Sequence, residues 1–240
     1  RRVLFRSEFY RAENGQPIGY FWGYKTAGIF QNTQEIDEWR AAGNGILQSN
    51  VQPGDVRFVD RNHDGQINDK DKVNLGNGTP DFTLGLNLGF VYKGFDFSIV
   101  ANGAFGQQIV QSYRNHTRPT PNYTTAILDR WHGEGTSNRI PRVTDSNINY
   151  QFSDLFIQNG DYLRLSTLTL GYDFAKLFKG KAVSQARLYF QVQNLFIITG
   201  YDGMDPEIGF GSSNNSWVSG LDYGYYPRPR TVLVGVNLKF

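Results

Sequence analysis

A run of oxygen-bearing side chains between residues 60 and 71 is the segment of this sequence best suited to chemistry. Oxygen side chains recur at its first, third and fifth positions, and Gly65 at the sixth position permits a sharp turn. Ca²⁺ takes about six to eight oxygen ligands, which here would include a backbone carbonyl at the seventh position and a carboxylate at the twelfth. The sequence therefore predicts a structural Ca²⁺ site with the ligands Asp60, Asn62, Asp64, the Gln66 carbonyl and Asp71.

A turn without an ion is the alternative interpretation of this segment. Asp and Asn side chains often accept hydrogen bonds from backbone groups two residues along the chain, and such turns need no metal. Asp71 also stands where helix-flanked calcium loops have a bidentate glutamate, and no pair of helices is predicted around the segment. Both alternatives stay open; if the ion binds, it would rigidify an external loop.

Enzyme chemistry has no comparable support in the sequence. The three histidines are isolated, and no cysteine is present, which excludes thiolate ligands and Cys–His pairs. No G-x-S-x-G or H-E-x-x-H motif occurs, and no pair of carboxylates stands out from the rest. The net charge of +2 is too balanced to indicate nucleic acid as a partner. We therefore expect neither an enzyme nor a nucleic-acid-binding protein.

Five long segments after residue 80 alternate apolar and polar residues, which is strong evidence for β-strands. Lys93-Gly94 is a tight-turn sequence between the first two segments. The apolar phase of the third segment changes between Leu165 and Leu168, which predicts a bulge or a change of environment. The predicted strands are Asp81–Tyr92, a strand from Phe95 to about Asn102, Tyr162–Phe174, Arg187–Ile197 and Thr231–Phe240.

Three patterns favour a membrane barrel over a soluble β protein. Four of the five predicted strands are 10 to 13 residues long, and a tilted membrane strand needs about 9 to 11. Their apolar faces carry no charge in mid-strand, and short connections alternate with the long ones at 107–159 and 199–227. The predicted fold class is all-β, with the chain forming the C-terminal strands of a transmembrane antiparallel β-barrel with long extracellular loops.

The predicted organisation has three parts. Residues 1–7 look like a translated sequencing adapter and are expected to be non-native. Residues 8–79 are expected to be an extracellular loop region that carries the calcium-type loop, with a helix over Gln34–Ala42 capped by Thr33. Residues 80–240 are expected to be a C-terminal barrel portion of about five strands, with a second short helix over Thr125–Trp131. Phe240 closes the last apolar strand and is similar to the signal read by barrel-assembly machinery.

An ordered set of motifs resembles the SusC/RagA family of TonB-linked outer-membrane proteins. The resemblance covers nearly all of residues 8–240, and its specificity lies in the combination of motifs. The segments that carry it are Gly23–Phe30, Pro53–Phe58, Asp60–Gly65, Gly76-Asn77, Pro80–Phe82, Tyr92–Asp96, Tyr162–Leu165, Leu170–Tyr172, Gln193–Phe196, Asp205–Glu207 and Pro227–Phe240.

This resemblance implies a 22-stranded barrel filled by an N-terminal plug, with the plug and the TonB box outside this chain. It also implies that the protein imports oligosaccharides or peptides across the cell outer membrane. The implied partners are a SusD-like surface lipoprotein, the TonB complex through the missing N-terminal region, the barrel-assembly machinery and outer-membrane lipid. Neither the substrate nor the residues that bind it are predicted.

A soluble, secreted calcium-binding β module, such as a carbohydrate-binding or adhesive domain, is the alternative. Dependence on detergent would separate the two. The loop aromatics could contact sugars or the lipoprotein, or simply pack the loops together: Trp22, Tyr24, Trp131, Trp217, Tyr223, Tyr225 and Tyr226.

Overall fold

Strands dominate the computed structural model of the chain, which describes residues 3–6, 9–43, 48, 50–112, 123–177, 183–208 and 219–240. The strands are β1 (Val3–Arg6), β2 (Tyr10–Glu13), β3 (Tyr20–Gly23), β4 (Thr26–Ile29), β5 (Val56–Phe58), β6 (Val73–Asn74), β7 (Phe82–Tyr92), β8 (Phe95–Phe105), β9 (Gln108–Gln111), β10 (Ile157–Asn159), β11 (Tyr162–Asp173), β12 (Gln185–Thr199), β13 (Leu221–Asp222) and β14 (Thr231–Lys239).

Helical structure is limited in the described residues to α1 (Thr33–Ala41) and five 3₁₀ turns, at Asp69–Asp71, Thr125–Asp129, Asn147–Tyr150, Asp154–Phe156 and Ala175–Leu177. The first predicted helix is confirmed, but Thr33 as its cap is wrong. Asn32 is the cap, because its side chain accepts a hydrogen bond from the Glu35 N–H. The segment predicted as a second helix forms the 3₁₀ turn Thr125–Asp129.

Within the part of the chain that the structure describes, no helix combines the length and the apolar character needed to cross a membrane.

The chain divides into two units. The first comprises Arg1–Thr79, Gln108–Gln158 and Ile208–Gly224; the second comprises Pro80–Gln107, Asn159–Glu207 and Tyr225–Phe240. The second unit holds one antiparallel sheet in the order β14-β12-β11-β8-β7. All five predicted long strands are therefore confirmed, and with them the all-β antiparallel fold class.

Two irregularities of this sheet follow from its sequence. Lys93 and Gly94 both have positive φ, 48° and 93°, as a tight hairpin turn between β7 and β8 requires. The register of β11 against both neighbours shifts between Leu165 and Thr167, which confirms the predicted bulge. The bulge keeps Leu163, Leu165 and Leu168 on one face although the spacing changes from two residues to three.

The first unit is built from short strands: β1-β2-β3-β6, β4-β5, and β10-β9-β13, in which β9 and β13 run parallel. Small apolar clusters form its core, and the largest fully buried rings are those of Tyr20, Phe21, Phe30 and Phe58.

A buried polar network also holds the first unit together. Asp55 is fully buried, and Arg142 binds both of its carboxylate oxygens, at 2.8 and 3.2 Å. Asn149 donates to the same carboxylate at 3.1 Å and accepts the Val56 N–H at 2.9 Å. These contacts join the segment after residue 139 to β5. A buried carboxylate is stable only when it is paired, and Arg142 and Asn149 provide the partners of Asp55.

Candidate functional site

The predicted calcium loop lies in the first unit, between β5 and β6. Ile67, in the middle of the loop, is fully buried and packs with Tyr24, Val56 and Phe58. The loop is therefore anchored by an apolar side chain while most of its polar side chains stay near the surface.

Asp60 organises the first half of the loop. Its Oδ1 accepts the His63 N–H at 2.7 Å, and its Oδ2 accepts the Gly65 N–H at 2.9 Å. His63 and Gly65 have φ values of 58° and 76°, in the left-handed region. A Cβ on residue 65 would collide with the Gly43 carbonyl oxygen, so glycine is required there both for space and for backbone conformation.

Asp71 closes the second half and is fully buried. Its Oδ1 accepts the Arg61 N–H at 2.8 Å, and its Oδ2 accepts the Asn68 N–H at 2.7 Å. The Asn68 side chain in turn accepts the Lys70 N–H, and the two side chains form a reciprocal capping box. Asp71 therefore ties the beginning of the loop to its end.

The other three predicted ligands lie on the exposed side of the loop. Asn62 Nδ2 donates to Asp64 Oδ2 at 2.8 Å, and Asp64 Oδ1 accepts the Gln66 N–H at 3.0 Å. The hydrogen bond from Asn62 lowers the pKa of the Asp64 carboxyl, with Lys70 adding a smaller effect. The Gln66 carbonyl accepts a hydrogen bond from Asn68 Nδ2 at 3.3 Å.

The fit of Ca²⁺ to this loop can be judged from these contacts. All five predicted ligands belong to this one loop, and each Asp60 oxygen, which accepts one backbone N–H, retains a second lone pair. Asp71 Oδ1 already accepts the N–H groups of both Arg61 and Asn62. Among the described residues, however, no three Asp, Glu or His side chains converge closely enough to hold a metal ion. The hydrogen bonds alone also close the turn. Ca²⁺ binding therefore stays a prediction, and the ion-free turn remains open beside it.

Tyr24 and Lys72 pack beside the loop. Burial raises the pKa of Tyr24 to about 12, with smaller contributions from the carboxylates of Asp69 and Asp71. Lys72 lies 5.1 Å from the Tyr24 ring centre and 2.8 Å from an Asp69 oxygen. The hydrogen bond from Lys72 lowers the pKa of Asp69.

The sheet of the second unit presents a continuous apolar face. Its side chains align in rows across all five strands because the register pairs apolar residues with one another. The central rows are Leu88–Ile99–Leu168–Val192–Val232, Phe90–Phe97–Leu170–Phe190–Val234 and Tyr92–Phe95–Tyr172–Leu188–Val236. Many of these side chains are exposed, up to 71% for Val234, which is unusual for apolar residues of this size.

Aromatic rings gather where this face meets the Lys93-Gly94 turn. Phe95 and Tyr172 lie 4.3 Å apart between ring centres, and Phe174 packs on Tyr172 at 4.6 Å. Phe240, the predicted assembly signal, follows β14 and is 84% exposed. Its role in assembly stays a prediction.

The opposite face of the same sheet is mainly polar, with Asn87, Ser98, Thr169, Gln191 and Asn237 among its residues. Near the turn end, Arg187 of β12 forms two hydrogen bonds with Asp96 of β8. The pair passes over Gly171 of β11, where any Cβ would collide with both side chains. The polar face is thus stabilised by an ion pair that joins two strands not adjacent in the sheet.

A second charged network at the other end of this sheet was not predicted. Arg164 is buried and binds Asp205 at 2.5 Å and Glu207 at 3.0 Å. Arg228 binds the second oxygen of Glu207 at 2.8 Å. The motifs around Arg164 and Asp205 were visible in the sequence, but a pairing across 41 residues carries no local signal.

The loop aromatics differ in their environments. Tyr24 is buried, the Arg11 guanidinium lies 3.8 Å from the Trp22 ring centre, and Trp131 Nε1 donates to Gln31 at 3.2 Å. These three pack the loops of the first unit. Tyr226 is 87% exposed, and Trp217 lies outside the described residues.

Known proteins provide the comparison that decides the family. No family model matches the chain. TonB-dependent receptor P3 of Formosa agariphila is 33% identical over 237 residues, covering 94% of this chain and 22% of that receptor. TonB-dependent receptor SusC of Bacteroides thetaiotaomicron is 32% identical over 197 residues, covering 81% of this chain and 18% of SusC.

The chain belongs to the SusC/RagA family of TonB-dependent receptors, as its motifs predicted.

Solved structures agree at the level of the fold. A structure of the RagAB peptide transporter superposes with a TM-score of 0.69 at 21% identity, covering 99% of this chain and 24% of that chain. The chain therefore corresponds to about a fifth to a quarter of the SusC/RagA-type proteins it matches. These relatives are named as receptors and transporters.

Proposed function

We propose that the chain is part of a TonB-dependent transporter of the cell outer membrane that imports oligosaccharides or peptides together with a SusD-like surface lipoprotein. The observation that carries the proposal is the continuous exposed apolar face of β7, β8, β11, β12 and β14. A soluble protein rarely leaves so large an apolar surface in water, whereas lipid tails would cover it without cost.

The different polarity of the two sheet faces supports a position in the membrane. The apolar face would contact outer-membrane lipid, with Tyr92, Phe95 and Tyr172 at the depth of an interfacial aromatic girdle. The polar face would line the interior, where its hydrogen-bonding side chains can contact water or substrate. Uptake would be driven through the TonB complex, which acts on a region outside this chain.

The lipoprotein partner and the substrate class rest on the relatives. The SusC and RagAB names support a two-protein importer, and RagAB is described as a peptide transporter. Both oligosaccharides and peptides therefore remain within the proposal, and the loops of the first unit are the surface that a lipoprotein would contact.

The test uses the full-length protein in the bacterium that carries its gene. We expect the protein in the outer-membrane fraction, extracted only by detergent, and copurifying with a surface lipoprotein. Deleting the gene should abolish uptake of at least one labelled oligosaccharide or peptide, and a TonB-deficient strain should show the same loss. Recovery of the protein as a detergent-independent secreted species would favour the soluble calcium-binding module instead.

A further inference from the structure

A small cavity in the second unit lies at the end of the sheet away from the Lys93-Gly94 turn. Its volume is about 170 Å³, below the roughly 300–1,000 Å³ of pockets that enclose whole small ligands. It could therefore accept one functional group of a larger molecule. The lining includes Arg164, Asn194, Met204, Asp205, Arg228 and Arg230.

Two of the arginines are already neutralised. Arg164 is held between the carboxylates of Asp205 and Glu207, and Arg228 binds the free oxygen of Glu207. Asp205 also accepts the Glu207 N–H at 2.9 Å, which fixes the turn that carries both acids. Two cations and two anions therefore balance within this cluster.

Arg230 is the surplus charge. It is exposed at the cavity, and among the described residues nothing forms an ion pair or side-chain hydrogen bond with it. Its backbone is nevertheless restrained, because Pro227 and Pro229 fix φ in the preceding segment and Asn194 Nδ2 binds the Pro229 carbonyl at 2.9 Å. Among the described residues, the Arg230 guanidinium at the cavity therefore has no ion-pair partner.

We propose that this cavity binds a carboxylate group of the transported substrate, with Arg230 as the main contact and Arg228 beside it. A guanidinium presents paired N–H donors in a plane that matches the two oxygens of a carboxylate. The carboxylate could belong to an acidic peptide or to an acidic sugar. This inference rests on the proposed transport function, and it makes the substrate of that transporter anionic.

The experiment measures binding to the full-length protein in detergent by calorimetry. The probes are triglutamate and trigalacturonate, with triglutamine and a neutral galactose trimer as matched uncharged ligands. We expect at least one acidic probe to bind more tightly than its neutral counterpart. Arg230→Gln should weaken that binding about tenfold or more, because the charge-assisted hydrogen bonds of the guanidinium are lost. Arg230→Lys should retain part of it.

Arg139→Gln is the matched control, because Arg139 is also exposed and its side chain forms no ion pair or hydrogen bond with the described residues. A preference for triglutamate would assign the site to peptides, and one for trigalacturonate to acidic glycans. Equal binding of acidic and neutral probes, or unchanged binding by Arg230→Gln, overturns the inference while leaving transport intact. Normal uptake after deletion of the gene would instead refute the transport function.

Discussion

A single arginine placed on either side of β7 gives the sharpest test of the membrane assignment. Leu86 and Asn87 are neighbours near the middle of this 11-residue strand, and both are exposed. Leu86 pairs with Ala101 on the apolar face, and Asn87 pairs with Val100 on the mainly polar face. Leu86→Arg and Asn87→Arg therefore introduce the same side chain at the same depth, on opposite faces of the sheet.

The expected difference follows from the position of the strand. An arginine that faces lipid at the bilayer midplane costs about 2–4 kcal/mol, and the cost falls to about 0–1 kcal/mol near the interface. Position 86 lies close to the midpoint of β7, so Leu86→Arg should lower the stability of the folded protein in the membrane by most of that amount. The loss corresponds to a roughly 30-fold or greater fall in the folding equilibrium constant. Asn87→Arg would face water and should change it little.

Heat-modifiable gel mobility of the full-length protein from outer-membrane fractions measures the folded share. We expect Leu86→Arg to lower the folded share and Asn87→Arg to match the parent. Urea unfolding in lipid vesicles would give the difference in free energy directly. Equal behaviour of the two variants in both assays would refute the assignment of the Leu86 face to lipid.

Three further outcomes are expected. If the Asp60–Asp71 loop binds Ca²⁺, calorimetry on the full-length protein should detect that binding. The double variant Asp60→Ala with Asp64→Ala should abolish it, and the control variant Asp37→Ala should preserve it. Unchanged binding by the double variant would leave only an ion-free turn. Arg142→Leu should lower the free energy of unfolding by about 3 kcal/mol, because Asp55 stays buried without its cation, whereas thermal unfolding of Arg139→Leu should match the parent. The raised pKa of Tyr24 means that the folded state holds the phenol proton more tightly than the unfolded state does. The free energy of unfolding should therefore fall as the pH rises from about 10 to 12. Tyr24→Phe should reduce this fall in unfolding curves measured across that pH range.

The long strands could be predicted because their signal is local. In β7 and β14, the polarity of each residue indicates the sheet face on which its side chain lies, and the alternation continues over many residues. The bulge was equally visible, because one inserted residue shifts the apolar phase of β11 by one position and leaves the alternation intact on both sides. The error at Thr33 is of the opposite kind: Asn32 and Thr33 are both good caps, and only the backbone of the folded loop selects between them.

Contacts between residues far apart in the chain could not be predicted in this way, because they produce no local sequence pattern. The sequence showed Asp60, Asn62, Asp64, Gln66 and Asp71 as a group because they are close along the chain. It could not show that Asp55 meets Arg142, 87 positions away, or that Arg164 meets Asp205. Ion pairs of this kind depend on how the chain returns on itself, and a single sequence does not record that path.

The passage of the Asp96–Arg187 pair over Gly171 bears on how the sheet finds its alignment. If β11 slipped by two residues against its neighbours, every side chain would still point to its proper face, so polarity alone would not detect the mistake. Thr169 or Asp173 would then lie beneath the ion pair, and its Cβ would occupy space that only glycine leaves open. The absence of a side chain at Gly171 therefore favours the correct register of β8, β11 and β12 over shifted registers that keep the same polarity on each face.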